Sequence, residues 1–188
     1  MNRQRMLVWL RVAFILVATP LLFFAFQGPF RNIELASFIR LLRLVGVTGV
    51  PYLTGPYAFI RPSHGGGFWI ELTPSCSSLA SILTLGCVAV ALPRRVAGGR
   101  SRLLAFVAAA AAVFLGNLLR IDMCVVAGLL AGKTVLVLFH NWAGSIFGFF
   151  YTMGGFILML WLLLPARRAE RAVTVRTVTY DGPAPAQA

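Results

Sequence analysis

The chain has 188 residues, enough for one domain, and 59% of them are apolar while only five are acidic. A water-soluble domain carries charge on closer to a quarter of its residues, so this composition excludes that class and indicates an integral membrane protein. The formal charge of +12 comes from arginines that flank apolar segments instead of forming a basic stripe interleaved with aromatics, which argues against nucleic-acid binding.

The N-terminal part predicts two helices of different kinds. Residues 6–26 are apolar over a length that spans the roughly 30 Å hydrocarbon layer, and no small-x-small cleavage site follows them, so we expect an uncleaved anchor. Residues 32–45 carry polar side chains at every third position among apolar neighbours: Glu34, Ser37, Arg40 and Arg43. This pattern predicts an amphipathic helix that lies in the membrane interface.

A short β-hairpin and three further spans follow. β-type residues on both sides of the glycine-rich segment "SHGGG" predict the hairpin, with His64 in its solvated turn. The remaining spans are apolar runs bounded by polar residues: 77–93, 103–120 with a continuation to 131 left open, and 142–164. Residues 166–188 are predicted to form a disordered cytoplasmic tail.

The arginines predict the orientation of the chain. Ten of them lie at the N-terminus, in the 94–102 loop or just after the last span. The positive-inside rule therefore places both termini and this loop in the cytoplasm. We expect an all-α polytopic protein of the cytoplasmic membrane with about four transmembrane helices, an interfacial helix and an extracytoplasmic β-hairpin. Residues 1–165 would form its single membrane-embedded domain.

Cysteine usage gives no disulfide framework, because three cysteines are an odd number without a pairing pattern. Cys87 and Cys124 lie inside apolar runs, where a free thiol packs as a small hydrophobic group. Cys76 differs, since its neighbours are polar. No metal-ligand spacing and no glycine-rich phosphate loop is present in the sequence, so we expect neither a metal nor a cofactor.

Three polar residues far apart in sequence are predicted to lie at the outer face of the membrane. Cys76 opens the second span, and His140 directly precedes the last one. Arg120 comes about 27 Å after the cytoplasmic start of the third span, at 1.5 Å per residue. A charged side chain at such a depth is costly unless it faces the protein interior, pairs or takes part in function.

Their chemistry suits attack on a peptide carbonyl. The segment "TPSC" predicts Thr73 as a helix cap, Pro74 at the first helical position and Cys76 in the first turn. The helix dipole and a nearby arginine would favour the thiolate. His140 could accept the thiol proton and return it to a leaving amine, while Arg120 could stabilise an oxyanion.

Each residue also has an ordinary structural explanation. An arginine near the end of a span can extend to the headgroups, a histidine there can be interfacial, and a cysteine can be acylated or simply fill space. Ser75, Ser77 or Ser78 could be the nucleophile instead, although capping of helix N–H groups explains these serines better. Only the joint placement of the three residues favours catalysis.

Three segments resemble the signature blocks of the exosortase/archaeosortase family, in the family's order, within residues 34–165: "SCSSLAS", "GNLLRI" and "FHNWAG". The resemblance implies a membrane-embedded cysteine transpeptidase. Such an enzyme would cleave the C-terminal sorting tail of exported proteins, which consists of a motif such as Pro-Glu-Pro, a hydrophobic helix and a basic cluster. A thioester would then pass the client to an acceptor. Cys76 would be the nucleophile, completed by Arg120 and His140.

The same resemblance implies supporting residues. Asn117 would be a polar residue of the site, and Gly144 a small residue that permits close packing. Independently of the family, the small polar residues beside Cys76, Ser77 among them, would let a substrate backbone approach the thiol. Ser78 departs from the family, many members of which have glycine there.

A second class of function stays open from the sequence. The chain could be a non-enzymatic membrane assembly factor in envelope or polysaccharide export that keeps these residues for packing. Under that hypothesis Cys76→Ser would be harmless. The partners expected under the first hypothesis are the lipid bilayer, exported proteins with a sorting tail, and an acceptor that the sequence leaves open.

Overall fold

A computed structural model of the chain describes residues 3–44, 53–60, 68–92 and 98–178. Within these ranges the elements are, in chain order, helix α1 (Arg3–Leu44), strands β1 (Leu53–Thr54), β2 (Tyr57–Ile60) and β3 (Phe68–Glu71), a 3₁₀ turn (Pro74–Cys76), and helices α2 (Leu79–Ala91), α3 (Gly99–Ala131), α4 (Lys133–Asn141) and α5 (Ala143–Val178).

Helix α1 joins two elements that the sequence predicted to be separate. It runs for 42 residues through Pro20 and Pro29, so the prediction of an independent interfacial helix over 32–45 is wrong. A proline removes one intrahelical hydrogen bond, which packing beyond it can offset. That packing involves five buried side chains in the last third of the helix: Glu34, Leu35, Phe38, Ile39 and Leu42.

The predicted hairpin is present and carries one more strand. β2 and β3 pair antiparallel, with Tyr57 opposite Glu71 and Ile60 opposite Phe68, and β1 pairs with the other edge of β2. The β1–β2 turn uses Gly55 at a φ of 64°, a conformation in which glycine has no steric penalty. The β2–β3 connection, with His64, lies outside the described residues. Ala58 and Ile60 are fully buried in a cluster with the end of α1, so the sheet covers that end.

The helices make this a membrane protein. Three described segments are long and apolar enough to cross a bilayer: Val12–Leu44, Gly99–Ala131 and Lys133–Leu164. Helix α2 occupies the predicted second span but has only 13 residues. At 1.5 Å per residue it is about 20 Å long, less than the hydrocarbon thickness.

The third span does not end at Arg120. Helix α3 continues without a break to Ala131, where Gly132, at a φ of 88°, separates it from α4. Helix α4 returns along α3, and a side chain on Gly128 would collide with Leu136.

Helix α5 is longer than predicted. It continues to Val178, so residues 166–178 are helical where a disordered tail was predicted, and residues 179–188 lie outside the described part of the chain.

Candidate functional site

Cys76 and His140 meet, although 64 residues separate them. The Cys76 Sγ lies 3.5 Å from the His140 Nε2, and the Thr73 hydroxyl is 2.9 Å from the same sulfur. Cys76 ends the 3₁₀ turn and is 5% exposed, whereas His140 lies at the end of α4. The thiol therefore has a potential proton acceptor within sulfur hydrogen-bonding distance.

The local structure around Cys76 differs from the prediction. Cys76 does not lie in the first turn of the second span, because α2 begins only at Leu79. The Ser78 N–H at the start of α2 donates to Glu34 Oε1 at 2.8 Å, so a carboxylate takes the position that favours an anion at a helix N-terminus. The predicted cap at Thr73 and the predicted first position at Pro74 are confirmed, but they belong to the 3₁₀ turn Pro74–Cys76 and not to α2.

Arg120 packs against the start of α5. It is 8% exposed, and a Cβ atom built on Gly144 would lie 3.0 Å from its Nε and 3.3 Å from its Nη2. Such a contact is tighter than an ordinary van der Waals distance. The absence of a side chain at position 144 therefore leaves room for the guanidinium of Arg120.

One small cavity joins the three predicted catalytic residues. Its volume is about 70 Å³, and its lining comes from β3, the segment after it, α3 and α4: Ile70, Glu71, Leu72, Cys76, Arg120, Ile121, Cys124, Val125, Leu136 and His140. A volume of that size has room for a few water-sized groups. A larger cavity of about 380 Å³ lies beside Gly86, Leu92, Arg102 and Phe106, but none of the predicted site residues lines it.

A buried network of hydrogen bonds holds the backbone around Cys76. Glu34 Oε1 accepts hydrogen bonds from the Ser78 Oγ at 2.7 Å and from the Asn117 Nδ2 at 2.9 Å, in addition to the one from the Ser78 N–H. The same Asn117 nitrogen donates to the Cys76 carbonyl at 2.9 Å. The Tyr151 hydroxyl on α5 donates to the Asn117 Oδ1 at 3.1 Å. Four helices therefore meet directly behind the thiol.

The structure brings together most of the residues that the sequence singled out. Cys76, Arg120 and His140 line one cavity, Asn117 holds the Cys76 carbonyl, and Gly144 contacts Arg120. Ser77 has a local role instead, since its Oγ accepts a hydrogen bond from the Leu79 N–H at 3.3 Å.

Sequence reasoning missed Glu34 and Tyr151. Glu34 was assigned to the polar face of a surface helix, yet it is 0% exposed. One signal could have found it: it is one of only five acidic residues, and an acid among apolar residues of a membrane chain marks a functional position by default. Tyr151 has no such signal, because tyrosine is common near membrane interfaces.

Comparison with known proteins gives no match: no family model, no curated protein and no solved structure corresponds to this chain. The resemblance to the exosortase/archaeosortase family stays a prediction from the three sequence blocks.

Proposed function

We propose that this protein is an exosortase-like cysteine transpeptidase that cleaves the C-terminal sorting tail of exported proteins. The observation that carries the proposal is the 3.5 Å approach of the Cys76 Sγ to the His140 Nε2 beside the buried Arg120, all within one small cavity. Thiol, imidazole and guanidinium supply a nucleophile, a proton carrier and a fixed positive charge.

The reaction proceeds in two stages. His140 takes the Cys76 proton while the sulfur forms a bond to the scissile carbonyl carbon. The tetrahedral intermediate collapses with cleavage of the C–N bond, and the imidazolium returns its proton to the leaving amine. A second amine, or water, then attacks the thioester and restores the thiol. Arg120 stabilises the negative charge on the carbonyl oxygen in both stages.

A site of this kind belongs at the membrane surface, where a client chain leaves the bilayer. We propose that both termini are cytoplasmic and that Cys76 faces the extracytoplasmic side of the cytoplasmic membrane. The β-sheet and the Cys76 turn share a single buried cluster at the end of α1, which supports their placement on one side. The arginine distribution supports the direction.

Co-expression with an exported reporter tests the function. The reporter carries a C-terminal Pro-Glu-Pro motif, a hydrophobic helix and an arginine cluster, and mass spectrometry follows its cleavage. We expect the wild-type chain to cleave it and Cys76→Ala and His140→Ala to lose cleavage with unchanged abundance in the membrane. Neutral hydroxylamine should release a thioester-linked reporter from the wild-type protein.

Cys76→Ser is the matched variant. It keeps the size and the polarity of the side chain but replaces the thiol by a hydroxyl that ionises far less readily, so cleavage should be lost. Equal processing of the reporter by the wild type and by both Cys76 variants would contradict the proposed enzymatic function. A fall in abundance for Cys76→Ala, with Cys76→Ser harmless, would instead indicate the assembly-factor function.

A further inference from the structure

We propose that Glu34 is the positioning residue for Cys76: its carboxylate fixes the backbone that directly follows the Cys76 side chain, through Asn117 at the Cys76 carbonyl and through Ser78. The inference rests on the proposed function only for its effect on client cleavage. Its effect on the thiol itself needs no client.

The burial of Glu34 indicates a role beyond packing. The side chain is 0% exposed and lies in a segment long and apolar enough to cross the membrane. An ionisable group in such a place is costly unless it pairs or takes part in function. Its three hydrogen bonds come from uncharged donors on Ser78 and Asn117, and its Oε2 has no hydrogen-bond partner among the described residues. The interactions of Glu34 therefore converge on the neighbours of the thiol.

Asn117 transmits the position of Glu34 to Cys76. A side-chain amide has two N–H donors on one nitrogen and an acceptor oxygen. Here the nitrogen donates both to Glu34 Oε1 and to the Cys76 carbonyl, while the oxygen accepts from the Tyr151 hydroxyl. The opposite amide orientation would point the Asn117 oxygen at two other oxygens. Glu34 thus acts with the Cys76 carbonyl and Tyr151 to fix which way the amide faces, and the amide holds the Cys76 backbone.

Ser78 fixes the backbone after residue 77. Both its backbone N–H and its hydroxyl donate to the same oxygen of Glu34, at 2.8 and 2.7 Å. The turn that carries the thiol is therefore anchored before and after residue 77. Without Glu34, Ser78 and the Asn117 amide both lose the oxygen to which they donate, and the thiol would no longer be held near the His140 Nε2.

The accessibility of Cys76 to two maleimides of different size tests the proposal. The full-length protein keeps Cys76 as its only cysteine, with Cys87→Ser and Cys124→Ala, and reacts with N-ethylmaleimide or with a neutral benzophenone maleimide. Both reagents attack the same thiolate, so the ratio of their rate constants cancels its ionisation and reports how tightly the thiol is enclosed. Glu34→Ala removes three hydrogen bonds, and we expect it to lower the small-to-bulky ratio at least about fivefold, the net effect of a single hydrogen bond.

Further variants distinguish the positioning of Cys76 by Glu34 from a general loss of helix packing. Glu34→Gln keeps an acceptor oxygen in place and should restore the ratio to within about twofold of the parent. Asn117→Ala should lower the ratio while leaving the two Ser78 contacts intact, and the Glu34→Ala/Asn117→Ala pair should fall by less than the product of the two single effects, because both substitutions remove the Glu34–Asn117 hydrogen bond. Ser81→Ala removes a different interhelical hydrogen bond, the 3.0 Å contact with Thr152, and should leave the ratio unchanged.

The outcomes for positioning and for catalysis are distinguishable. An unchanged ratio in Glu34→Ala, or an equal fall in Ser81→Ala, overturns the positioning role whatever happens to the reporter. A ratio that falls in Glu34→Ala and recovers in Glu34→Gln supports positioning even if no reporter is cleaved, and the absence of cleavage would count only against the proposed enzyme. In an active enzyme, Glu34→Ala should lower kcat more than it raises KM.

Discussion

At the scale of single residues, the side chains that form the site were easier to predict than those that hold it. Cys76, Arg120 and His140 could be placed together because each was predicted to lie at the same end of a membrane span. Glu34 could not, because its position depends on α1 continuing past Pro29, and a proline in sequence favours the opposite outcome. The three-residue spacing of polar groups after Pro29 then gave a misleading amphipathic pattern.

Gly144 provides a test of the guanidinium's position at this scale. Gly144→Ala would place a Cβ atom 3.0 Å from the Arg120 Nε, so the guanidinium must shift by a few tenths of an ångström. Because catalysis depends steeply on placement, we expect reporter cleavage to fall at least about threefold, with protein abundance unchanged. Quantitative mass spectrometry of the reporter measures the effect.

Gly148→Ala is the matched control for that substitution. Gly148 is one helical turn further along α5, and its nearest neighbour, the Tyr151 hydroxyl, is at an ordinary contact distance of 3.7 Å from the added Cβ. Cleavage should be unaffected there. Equal losses in the two variants would mean that the effect comes from α5 as a whole and not from Arg120.

At the scale of elements, hydropathy predicted where helices occur but not where they end. The sequence left open whether the run over 103–120 continues to 131, because Asn117 and Arg120 are polar; both are buried, and α3 continues to Ala131. The buried polar side chains are satisfied by neighbouring elements, and such tertiary contacts cannot be read from a single segment. The hairpin was predictable because β-type residues and glycine turns are local signals, whereas β1 has only two residues.

The close contact between α3 and α5 gives a second test. A Cβ atom on Gly155 would collide with the Val113 Cγ2 and lie 3.4 Å from the Ala109 carbonyl oxygen, while one on Gly154 would meet nothing within 4 Å. Gly155→Ala should therefore separate the two helices and destabilise the protein by about 1–3 kcal/mol. Gly154→Ala should have no such cost. Unfolding temperatures in detergent compare the two adjacent variants, and equal temperatures would contradict the packing.

At the scale of the whole molecule, composition alone predicted a membrane protein, and the structure agrees. The number of membrane crossings depends on α2, which is shorter than the bilayer is thick, whereas three other segments are long enough to span it. Four crossings return the C-terminus to the side of the N-terminus, and three do not. The arginine distribution favours four.

Topology reporters decide between these arrangements. Fusions of a fluorescent protein that matures only in the cytoplasm, placed at each terminus, should both be fluorescent. Matching fusions of a phosphatase that is active only outside should both be inactive. Termini on opposite sides would contradict the proposed orientation and would mean that α2 does not cross.

The meeting of four helices behind the thiol has a consequence for synthesis. Translation delivers Cys76 well before His140, Gly144 and Tyr151, which arrive with α4 and α5 near the end of the chain. A nascent chain already inserted through α3 therefore carries Cys76 without His140, its proposed base, and without the glycine and tyrosine of α5. Completion of the last helix is the event that assembles the candidate site, so under the proposed function we expect prematurely terminated products to be inactive.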